Sequence, residues 1–262
     1  MKNFGFNFDT TYLNLPNEFY KEQNPIHVPM PKNIVINDTL AEFLGLDLSG
    51  IDENALAKLF SGNMLSDQST PFSQAYAGHQ FGHFTILGDG RAHMLGEHIS
   101  PNGDRYDIQF KGSGRTPYSR GGDGKAVLAP MLREYIISEA MHYLGIPSTR
   151  SLAVVSTGES IRRETNLPGA ILTRVASSHI RIGTFEFAAA IGNIEHIDRL
   201  LNYTLKRHYP KLECSTNKPL ALIEALMQKQ IDLIVNWMRV GFIHGVMNTD
   251  NIPLSGETID YG

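Results

Sequence analysis

Apolar residues recur at helical spacing in several stretches of this 262-residue chain, with polar residues between them. The pattern predicts α-helices over residues 39–45, 53–60, 126–144, 194–208 and 220–240. In the third of these, one face is apolar and is predicted to be buried: Leu128, Leu132, Tyr135, Ile136 and Ala140. The last helix is apolar on more than one face, so we expect a further layer of structure to cover it.

Strands are predicted where β-branched and apolar residues cluster between turn signals. They cover residues 92–99, 105–111, 151–156 and 169–175. The stretch Gly88-Asp89-Gly90 lies between apolar flanks, and we interpret it as the tight turn of a hairpin. Two stretches are predicted to lack regular structure, an extended arm rich in Asn, Pro and aromatic residues and a later irregular segment, at residues 1–35 and 177–187.

The order of these elements is strands, helix, strands, helices, and then a polar loop with a further Asp. This order predicts an α+β, protein-kinase-like, two-lobed fold. Its N-lobe would hold an antiparallel sheet with one main helix, and its helical C-lobe would be incomplete. We assign residues 1–175 to an N-terminal arm and the N-lobe. Residues 176–262 form the first part of the C-lobe, with the catalytic and metal loops.

Four residues stand at the positions where such a fold keeps its nucleotide machinery. Lys111 ends a strand, Glu134 lies on the next helix, Asn251 follows the helix at 220–240, and Asp260 begins an Asp-x-Gly motif. Each match alone is weak, because a strand-end Lys or a helical Glu is usually a solvated surface residue. Together and in this order they predict a magnesium-nucleotide site, where oxygen ligands hold a hard cation on phosphates.

The catalytic loop departs from the kinase pattern. Small-molecule kinases of the aminoglycoside type carry His-Gly-Asp, whereas this chain has His244-Gly245-Val246, with Asp250 beside Asn251. The glycine loop, Gly88-x-Gly90, also lacks the third glycine of a kinase phosphate cover. These departures argue against ordinary transfer of a γ-phosphoryl group.

Arginines near the glycine-rich and strand-end segments could clamp a triphosphate in an unusual orientation, since the guanidinium fork matches phosphate oxygens. They are Arg91, Arg115, Arg120, Arg174 and Arg181. For any single one, a surface or salt-bridge role is the more common alternative. Four histidines, His79, His83, His93 and His98, lack the spacing of a zinc helix and are predicted to serve packing or hydrogen bonding.

Composition excludes several classes of protein. The 23 Lys and Arg residues against 27 Asp and Glu residues give a net charge of −4, which does not favour nucleic-acid binding. Cys214 is the single cysteine, so no internal disulfide forms, and a reducing compartment is expected. No apolar run approaches the roughly 18 residues of a membrane span, and the N-terminus has no signal-peptide pattern. We therefore expect a cytoplasmic protein without membrane or nucleic-acid partners.

Three long motifs resemble the SelO (YdiU) family of pseudokinase-fold protein adenylyltransferases. They are residues 71–82 (PFSQAYAGHQFG), 108–124 (IQFKGSGRTPYSRGGDG) and 244–251 (HGVMNTDN). The resemblance covers nearly the whole chain. It implies transfer of AMP from ATP to Ser, Thr or Tyr hydroxyls of protein substrates, with ATP flipped relative to a kinase so that pyrophosphate leaves. Some members are also described as transferring UMP with manganese.

Carried over by motif, the resemblance also implies roles for single residues. Asp250 would be the proton acceptor, and Asn251 and Asp260 would hold Mg²⁺ or Mn²⁺. The nucleotide would be bound by Gly88, Gly90, Arg91, Lys111, Asp123, Gly124, Glu134, Arg174, Arg181 and Asp260. Of these, Asp123 has no signal in the residue pattern itself.

The family's members are considerably longer and continue beyond the Asp260-Tyr-Gly motif, so the chain is interpreted as C-terminally truncated. Two alternatives to an active adenylyltransferase stay open. One is an inactive nucleotide-binding fragment of such an enzyme, and the other is a kinase-like phosphotransferase.

Overall fold

The structure is a computed structural model that describes residues 4–261. Within this range the chain forms six α-helices. They are α1 (Asp38–Leu44), α2 (Glu53–Ser61), α3 (Leu128–Tyr143), α4 (Ile182–Ala190), α5 (Ile194–His208) and α6 (Lys218–Arg239). In the same part of the chain, each helix is too short or too polar to cross a bilayer.

Ten strands accompany the helices within residues 4–261. They are β1 (Tyr20–Glu22), β2 (Lys32–Ile36), β3 (Phe72–Gln74), β4 (Ala77–Gly78), β5 (Thr85–Ile86), β6 (Ala92–Ile99), β7 (Arg105–Lys111), β8 (Ala126–Val127), β9 (Arg150–Arg162) and β10 (Asn166–Ala176). The main sheet has the order β1-β3-β6-β7-β10-β9-β2, with β8 paired to β10, and its strands are antiparallel. Strands β4 and β5 form a separate pair. The predicted mixture of helices with a mainly antiparallel sheet is therefore confirmed.

The main sheet lies between two helical layers. On one face, Leu40 of α1 and Phe60 of α2 pack in one core cluster with Ile108 and Phe110 of β7. On the other face, Met131 of α3 shares a cluster with side chains of β9 and β10. Successive side chains of a strand point to opposite faces. The polar residues of β7 that alternate with Ile108 and Phe110 therefore lie on the α3 side of the sheet.

Several predicted elements are confirmed with close boundaries. Strands β6 and β7 and helix α5 have the predicted limits, while β9 and β10 are longer than predicted. Helix α1 begins after Asn37, whose side chain accepts from the Leu40 backbone N–H, and it ends at Gly45 with φ +73°. Local caps and periodicity thus suffice for these elements.

The predicted hairpin at Gly88–Gly90 is wrong. Strand β5 pairs with β4 and not with β6, while β6 pairs with β3 and β7. The turn itself is present, and it is held against β3 because the Asp89 backbone N–H donates to Gln74 O (2.9 Å) and the Gln74 N–H donates to the Asp89 carboxylate (3.0 Å).

The two segments that were predicted to be irregular contain regular structure. The N-terminal arm contributes β1 and β2, which lie at the two edges of the main sheet. The later segment contains α4, which begins after Arg181, where the backbone N–H of Arg181 donates to Thr184 Oγ1. Pairing with distant strands and a local cap outweigh the composition here, because both add hydrogen bonds that propensity does not count.

The apolar face predicted for α3 is buried only in part, since Leu128, Leu132 and Tyr135 pack half-buried against the Met131 cluster. The buried side carries Met131, Glu134, Ser138 and Met141, while Ile136 is 62% exposed. Glu134 makes buried ion pairs with the sheet, so the helix turns this residue inward.

Helix α6 does expose an apolar face, as its sequence suggested. Five of its residues are each more than half exposed: Ile223, Met227, Ile231, Val235 and Met238. Its opposite side is anchored, because Leu233 and Trp237 are buried in a cluster with Tyr261.

Candidate functional site

The site is built on the face of the sheet that α3 covers. The register pairs Arg174 of β10 with Gln109 of β7, two residues before Lys111. Because side chains alternate along a strand, Gln109, Lys111 and Arg174 project from the same face. Arg174 Nη1 donates to Gln109 Oε1 at 3.2 Å, which fixes the guanidinium on the sheet.

Glu134 of α3 joins the two cations of the sheet. Its Oε2 accepts from Lys111 Nζ at 2.6 Å, and its Oε1 accepts from Arg174 Nε at 2.9 Å and from Nη2 at 2.5 Å. The Glu134 side chain is 1% exposed. Burial alone would raise the pKa of Glu134, but Arg174 and Lys111 outweigh it and lower that pKa. The carboxylate is therefore charged and holds both cations in place.

Asp260 completes this cluster from the far end of the chain. Its Oδ1 accepts from Lys111 Nζ at 2.6 Å and from Arg174 Nη2 at 2.7 Å. The backbone of Asp260 has φ +61°, a left-handed conformation that is uncommon outside glycine. Burial opposes ionisation, yet Arg174, Lys111 and Arg181 hold the pKa of Asp260 well below its usual range.

Arg181 approaches the cluster from the segment before α4. Its guanidinium carbon lies 4.3 Å from the centre of the Tyr76 ring, and its Nη1 donates to the backbone O of Asp250 at 2.8 Å. Asp89 and Asp260 each lie 3.7 Å from its terminal nitrogens. The Nε of Arg181 is buried without a hydrogen-bond partner in the described structure. A buried donor of this kind is suited to an anionic ligand.

Asp250 lies on a 3₁₀ turn at Thr249–Asn251, next to Arg181. The side chain is buried, and its Oδ2 accepts from Gln80 Nε2 at 3.1 Å. A Cβ atom on Gly78 would come within 2.3 Å of Asp250 Oδ1, so only glycine leaves room for this carboxylate. Asn251 Nδ2 donates to Val246 O at 3.0 Å. The amide oxygen of Asn251 takes no part in this hydrogen bond and is the acceptor atom of the side chain.

Glycine-rich segments form the opposite wall. Gly88 has φ +102°, and an added Cβ would meet the Tyr118 ring at 2.5 Å. Gly124 has φ +68° and touches the Gly114 backbone, where a Cβ would come within 2.2 Å. Asp123 beside it accepts from both terminal nitrogens of Arg163, at 2.7 Å and 3.1 Å, and this bidentate pairing lowers the pKa of Asp123.

These walls enclose one cleft of about 510 Å³. All twelve residues to which the resemblance gave a role line it: Gly88, Gly90, Arg91, Lys111, Asp123, Gly124, Glu134, Arg174, Arg181, Asp250, Asn251 and Asp260. Arg120 also lines the cleft, but Arg115 is absent from its lining. The structure thus brings together twelve residues that lie up to 172 positions apart in the sequence, from Gly88 to Asp260.

Sequence reasoning missed three residues that shape the floor. Asp89 is buried and faces Arg181, and its position between the two glycines of Gly88-x-Gly90 could have suggested it. Burial raises the pKa of Asp89, although Arg181 acts in the opposite direction. Tyr76 and Gln109, which contact Arg181 and Arg174, give no comparable signal in the sequence.

The histidines that were predicted to serve hydrogen bonding include two that do so in buried positions. His93 Nδ1 lies 2.7 Å from Ser113 Oγ, and His98 Nε2 lies 2.7 Å from Leu44 O. Within residues 4–261, no group of three or more His, Cys, Asp or Glu side chains is arranged to hold a metal ion.

The family that these residues belong to follows from comparison with known proteins. A family model described as "Protein adenylyltransferase SelO" matches residues 3–262 of the chain. The chain belongs to the SelO family. This result confirms the resemblance seen in the three motifs.

The chain is also similar to curated proteins that are named as nucleotidyltransferases. Proteins named "Protein nucleotidyltransferase YdiU" are 60% identical in Brevibacillus brevis, 59% in Pelagibacter ubique and 60% in Nitrosococcus oceani, each over 258 residues. These alignments cover 98% of this chain and 52%, 53% and 52% of the respective relatives. The chain therefore spans about half the length of the curated relatives it matches.

Proposed function

We propose that this chain carries the nucleotide-binding machinery of a protein adenylyltransferase, which transfers AMP from ATP to Ser, Thr or Tyr hydroxyls of proteins. The observation that carries the proposal is the convergence of Lys111, Arg174 and Arg181 on one buried face of the cleft. Each is an anion-binding group, and Glu134 orients two of them. Membership of the SelO family supports the nucleotidyl-transfer chemistry.

In this proposal the three cations bind phosphate oxygens and neutralise the charge that develops on them. The acceptor oxygen forms a bond to the α-phosphorus, and the bond from that phosphorus to the α–β bridging oxygen breaks. The electron pair of that bond leaves with pyrophosphate. The proton of the acceptor hydroxyl goes to the Asp250 carboxylate, which lies beside Arg181 and is oriented by Gln80.

The residues present fit a hard divalent cation. Asn251 and Asp260 offer an amide oxygen and carboxylate oxygens, the donors that Mg²⁺ and Mn²⁺ prefer when phosphates and water complete their coordination. We propose these two residues as the metal ligands. Such a cation would supply charge neutralisation at the phosphates. Asp260 would exchange its ion pairs with Lys111 and Arg174 for the cation and the nucleotide.

The glycine-rich wall supports a role in nucleotide binding for Gly88, Gly90, Arg91, Asp123 and Gly124. Gly88 packs against Tyr118 and Gly124 packs against the Gly114 backbone without room for a side chain, and this close packing holds both loops along the cleft. Val246 lies at the cleft where kinases of the aminoglycoside type carry the catalytic Asp. A transfer that uses Asp250 instead, with ATP flipped, is consistent with that replacement.

At the level of the fold we propose the two-lobed, kinase-like arrangement of a pseudokinase. Residues 1–175 would form the arm and the N-lobe, and residues 176–262 would begin the C-lobe. The lining of the cleft supports this division, since Lys111, Glu134 and Arg174 come from the first part and Arg181, Asp250 and Asp260 from the second. Transfer of UMP is proposed as a further activity of the same site.

A second candidate is a nucleotide-binding unit that does not transfer AMP by itself. The observation in its favour is the exposed apolar face of α6, since contiguous exposed apolar patches mark interaction surfaces. A kinase-like phosphotransferase is the third candidate, and the Val246 position argues against it.

Labelling with radioactive ATP separates these candidates. We expect the chain, with Mg²⁺ or Mn²⁺ and a protein extract whose own enzymes have been inactivated by heat, to label protein from α-³²P-ATP and not from γ-³²P-ATP. Label from the γ position alone would establish a phosphotransferase instead. The Asp260→Ala variant should not label, and persistence of label there would contradict its assignment as a metal ligand. ATP binding without label from either position would identify the nucleotide-binding unit.

A further inference from the structure

A second buried ionic cluster lies beside the cleft. Glu97 of β6 and Asp107 of β7 are directly opposite in the sheet register, and their side chains are 0% and 2% exposed. Carboxylates on directly opposed residues, with Cβ atoms about 5 Å apart, repel each other and destabilise a sheet unless cations neutralise them. This pair therefore needs a partner that reaches both groups.

Arg207, in the last turn of α5, is that partner. Its Nη1 lies 3.1 Å from Glu97 Oε2, and its Nη2 lies 2.6 Å from Asp107 Oδ1. Arg105 adds a second cation, with Nη1 2.9 Å from Glu97 Oε2. The set Glu97, Arg105, Asp107 and Arg207, called here the Asp107–Arg207 cluster, thus has balanced formal charge.

The same cluster holds the backbone that leads to Arg181. Arg207 Nη2 donates to Ser177 O at 2.7 Å, and the His179 backbone N–H donates to Asp107 Oδ2 at 2.7 Å. His179 Nδ1 lies 3.1 Å from the same oxygen. The neighbouring helical residue His208 contacts Ser178 Oγ at 2.7 Å. Each of the three residues 177–179 is therefore bound by the cluster or by the residue next to it.

Segment 177–181 connects the end of β10 to the start of α4 and belongs to no helix or named strand. Its far end is tied to residues 252–254, since Leu254 N–H donates to Ile180 O and Ile182 N–H donates to Ile252 O. The segment thus spans the gap between the Asp107–Arg207 cluster and the turn that carries Asp250. A shift of its cluster end would move the Arg181 guanidinium relative to Tyr76 and Asp89.

We propose that Asp107 and Arg207 are positioning residues that fix segment 177–181 and so aim Arg181 at the phosphate position of the cleft. The proposal rests on the proposed function only for the role of Arg181 in phosphate binding. It makes the end of α5 part of the nucleotide site, although α5 contributes no residue to the lining of the cleft.

Calorimetric binding of MgATP in a double-mutant cycle tests this coupling. Arg207→Lys keeps a charge but cannot span Glu97, Asp107 and Ser177 at once, so we expect it to weaken MgATP binding about three- to tenfold and to leave adenosine binding unchanged. In an Arg181→Ala background the same change should have no further effect. Losses that add in the double variant, or no loss in the single one, would overturn the proposal.

Arg199→Lys is the matched control, since Arg199 forms an exposed pair with Glu195 on the same helix and should leave binding unchanged. Asp107→Asn, nearly isosteric, serves as the second variant if Arg207→Lys does not fold. It leaves Arg207 paired with Glu97.

Amide hydrogen exchange of the nucleotide-free chain provides a readout that needs no ATP. Exchange at residues 177–182 should accelerate in Arg207→Lys and Asp107→Asn and stay unchanged in Arg199→Lys. Failure of the unsubstituted chain to bind MgATP would count against the proposed function, and exchange alone would then decide the inference. Unchanged exchange at residues 177–182 would overturn it, and faster exchange confined there would support it.

Discussion

Arg174 Nη2 lies 2.7 Å from Asp260 Oδ1, across a sequence separation of 86 residues. The same carboxylate oxygen accepts from Lys111, so the proposed metal ligand is paired with two of the cations that line the cleft. A single carboxylate oxygen near the end of the chain therefore ties together a lysine of β7 and an arginine of β10.

Replacing Glu134 by Gln should destabilise the protein strongly. The change removes the more deeply buried of the two carboxylates that Lys111 and Arg174 share and leaves them with Asp260, and breaking a buried pair costs about 3 kcal/mol. Urea denaturation of the variant would measure the loss in the free energy of unfolding. Glu195→Gln, at an exposed pair on α5, is the control and should change that free energy by less than about 1 kcal/mol. Equal stability of Glu134→Gln and the parent protein would contradict the buried cluster.

Replacing Asp250 by Asn should separate catalysis from binding. Its carboxylate contacts Gln80, and the hydrogen bond from Arg181 goes to the backbone oxygen of Asp250, which the substitution leaves in place. We expect transfer of AMP to fall by about 10²- to 10⁴-fold with little change in the affinity for ATP. The measurement is the rate of α-³²P labelling beside calorimetric binding. Asp232→Asn on the exposed side of α6 is the matched control, since Asp232 likewise accepts from a glutamine, Gln228. A parallel loss of binding in Asp250→Asn would speak against its role as proton acceptor.

The free energy of unfolding should fall in mild acid because two histidines are buried and have lowered pKa values. Burial, aided by Arg207 and Lys229, lowers the pKa of His208 from 6.5 to about 3, and burial lowers the pKa of His93 to about 4. A folded pKa below the unfolded one means that unfolding takes up a proton. The free energy of unfolding is therefore highest above about pH 6.5 and decreases as the pH falls toward 4 and then 3.

Urea denaturation at a series of pH values would measure this slope. His208→Gln and His93→Gln should each make it shallower between pH 6.5 and 4. A stability that stays constant over this range in the parent protein would refute the assignment. Asp107, whose pKa is held at about 2 by Arg207 and His179 against the effect of burial, adds a further loss between about pH 4 and 2.

The exposed face of α6 should make the 262-residue chain associate with itself. Light scattering after size exclusion should show association that increases with concentration, and the double change Ile231→Lys with Val235→Lys should reduce it. Both side chains are more than half exposed, so thermal stability should change little. Leu233→Ala provides the contrast, because Leu233 is 2% exposed and its truncation should cost about 3 kcal/mol. A parent chain that stays monomeric at every concentration would contradict this prediction.

Local pattern determined much of the fold from the amino-acid sequence alone. Alternation and helical period gave the limits of β6, β7 and α5, and capping residues gave those of α1. The order Lys111, Glu134, Asn251, Asp260 was also readable, because motif spacing along the chain is preserved whatever the packing. The placement of Asp123 in the cleft was reached only through the resemblance to the SelO family.

Tertiary structure decided what local pattern cannot contain. The side of α3 that carries Glu134 faces the sheet because Glu134 forms buried ion pairs with Lys111 and Arg174, which lie on two different strands. The apolar residue Ile136 is consequently exposed. Asp89 became the partner of Arg181 because its turn is held on β3 and does not close a hairpin with β6. In each case the deciding energy comes from pairing charged groups far apart in sequence under low solvent exposure. Propensity and periodicity describe only residues that are close in sequence, so they do not contain the energy of these ion pairs.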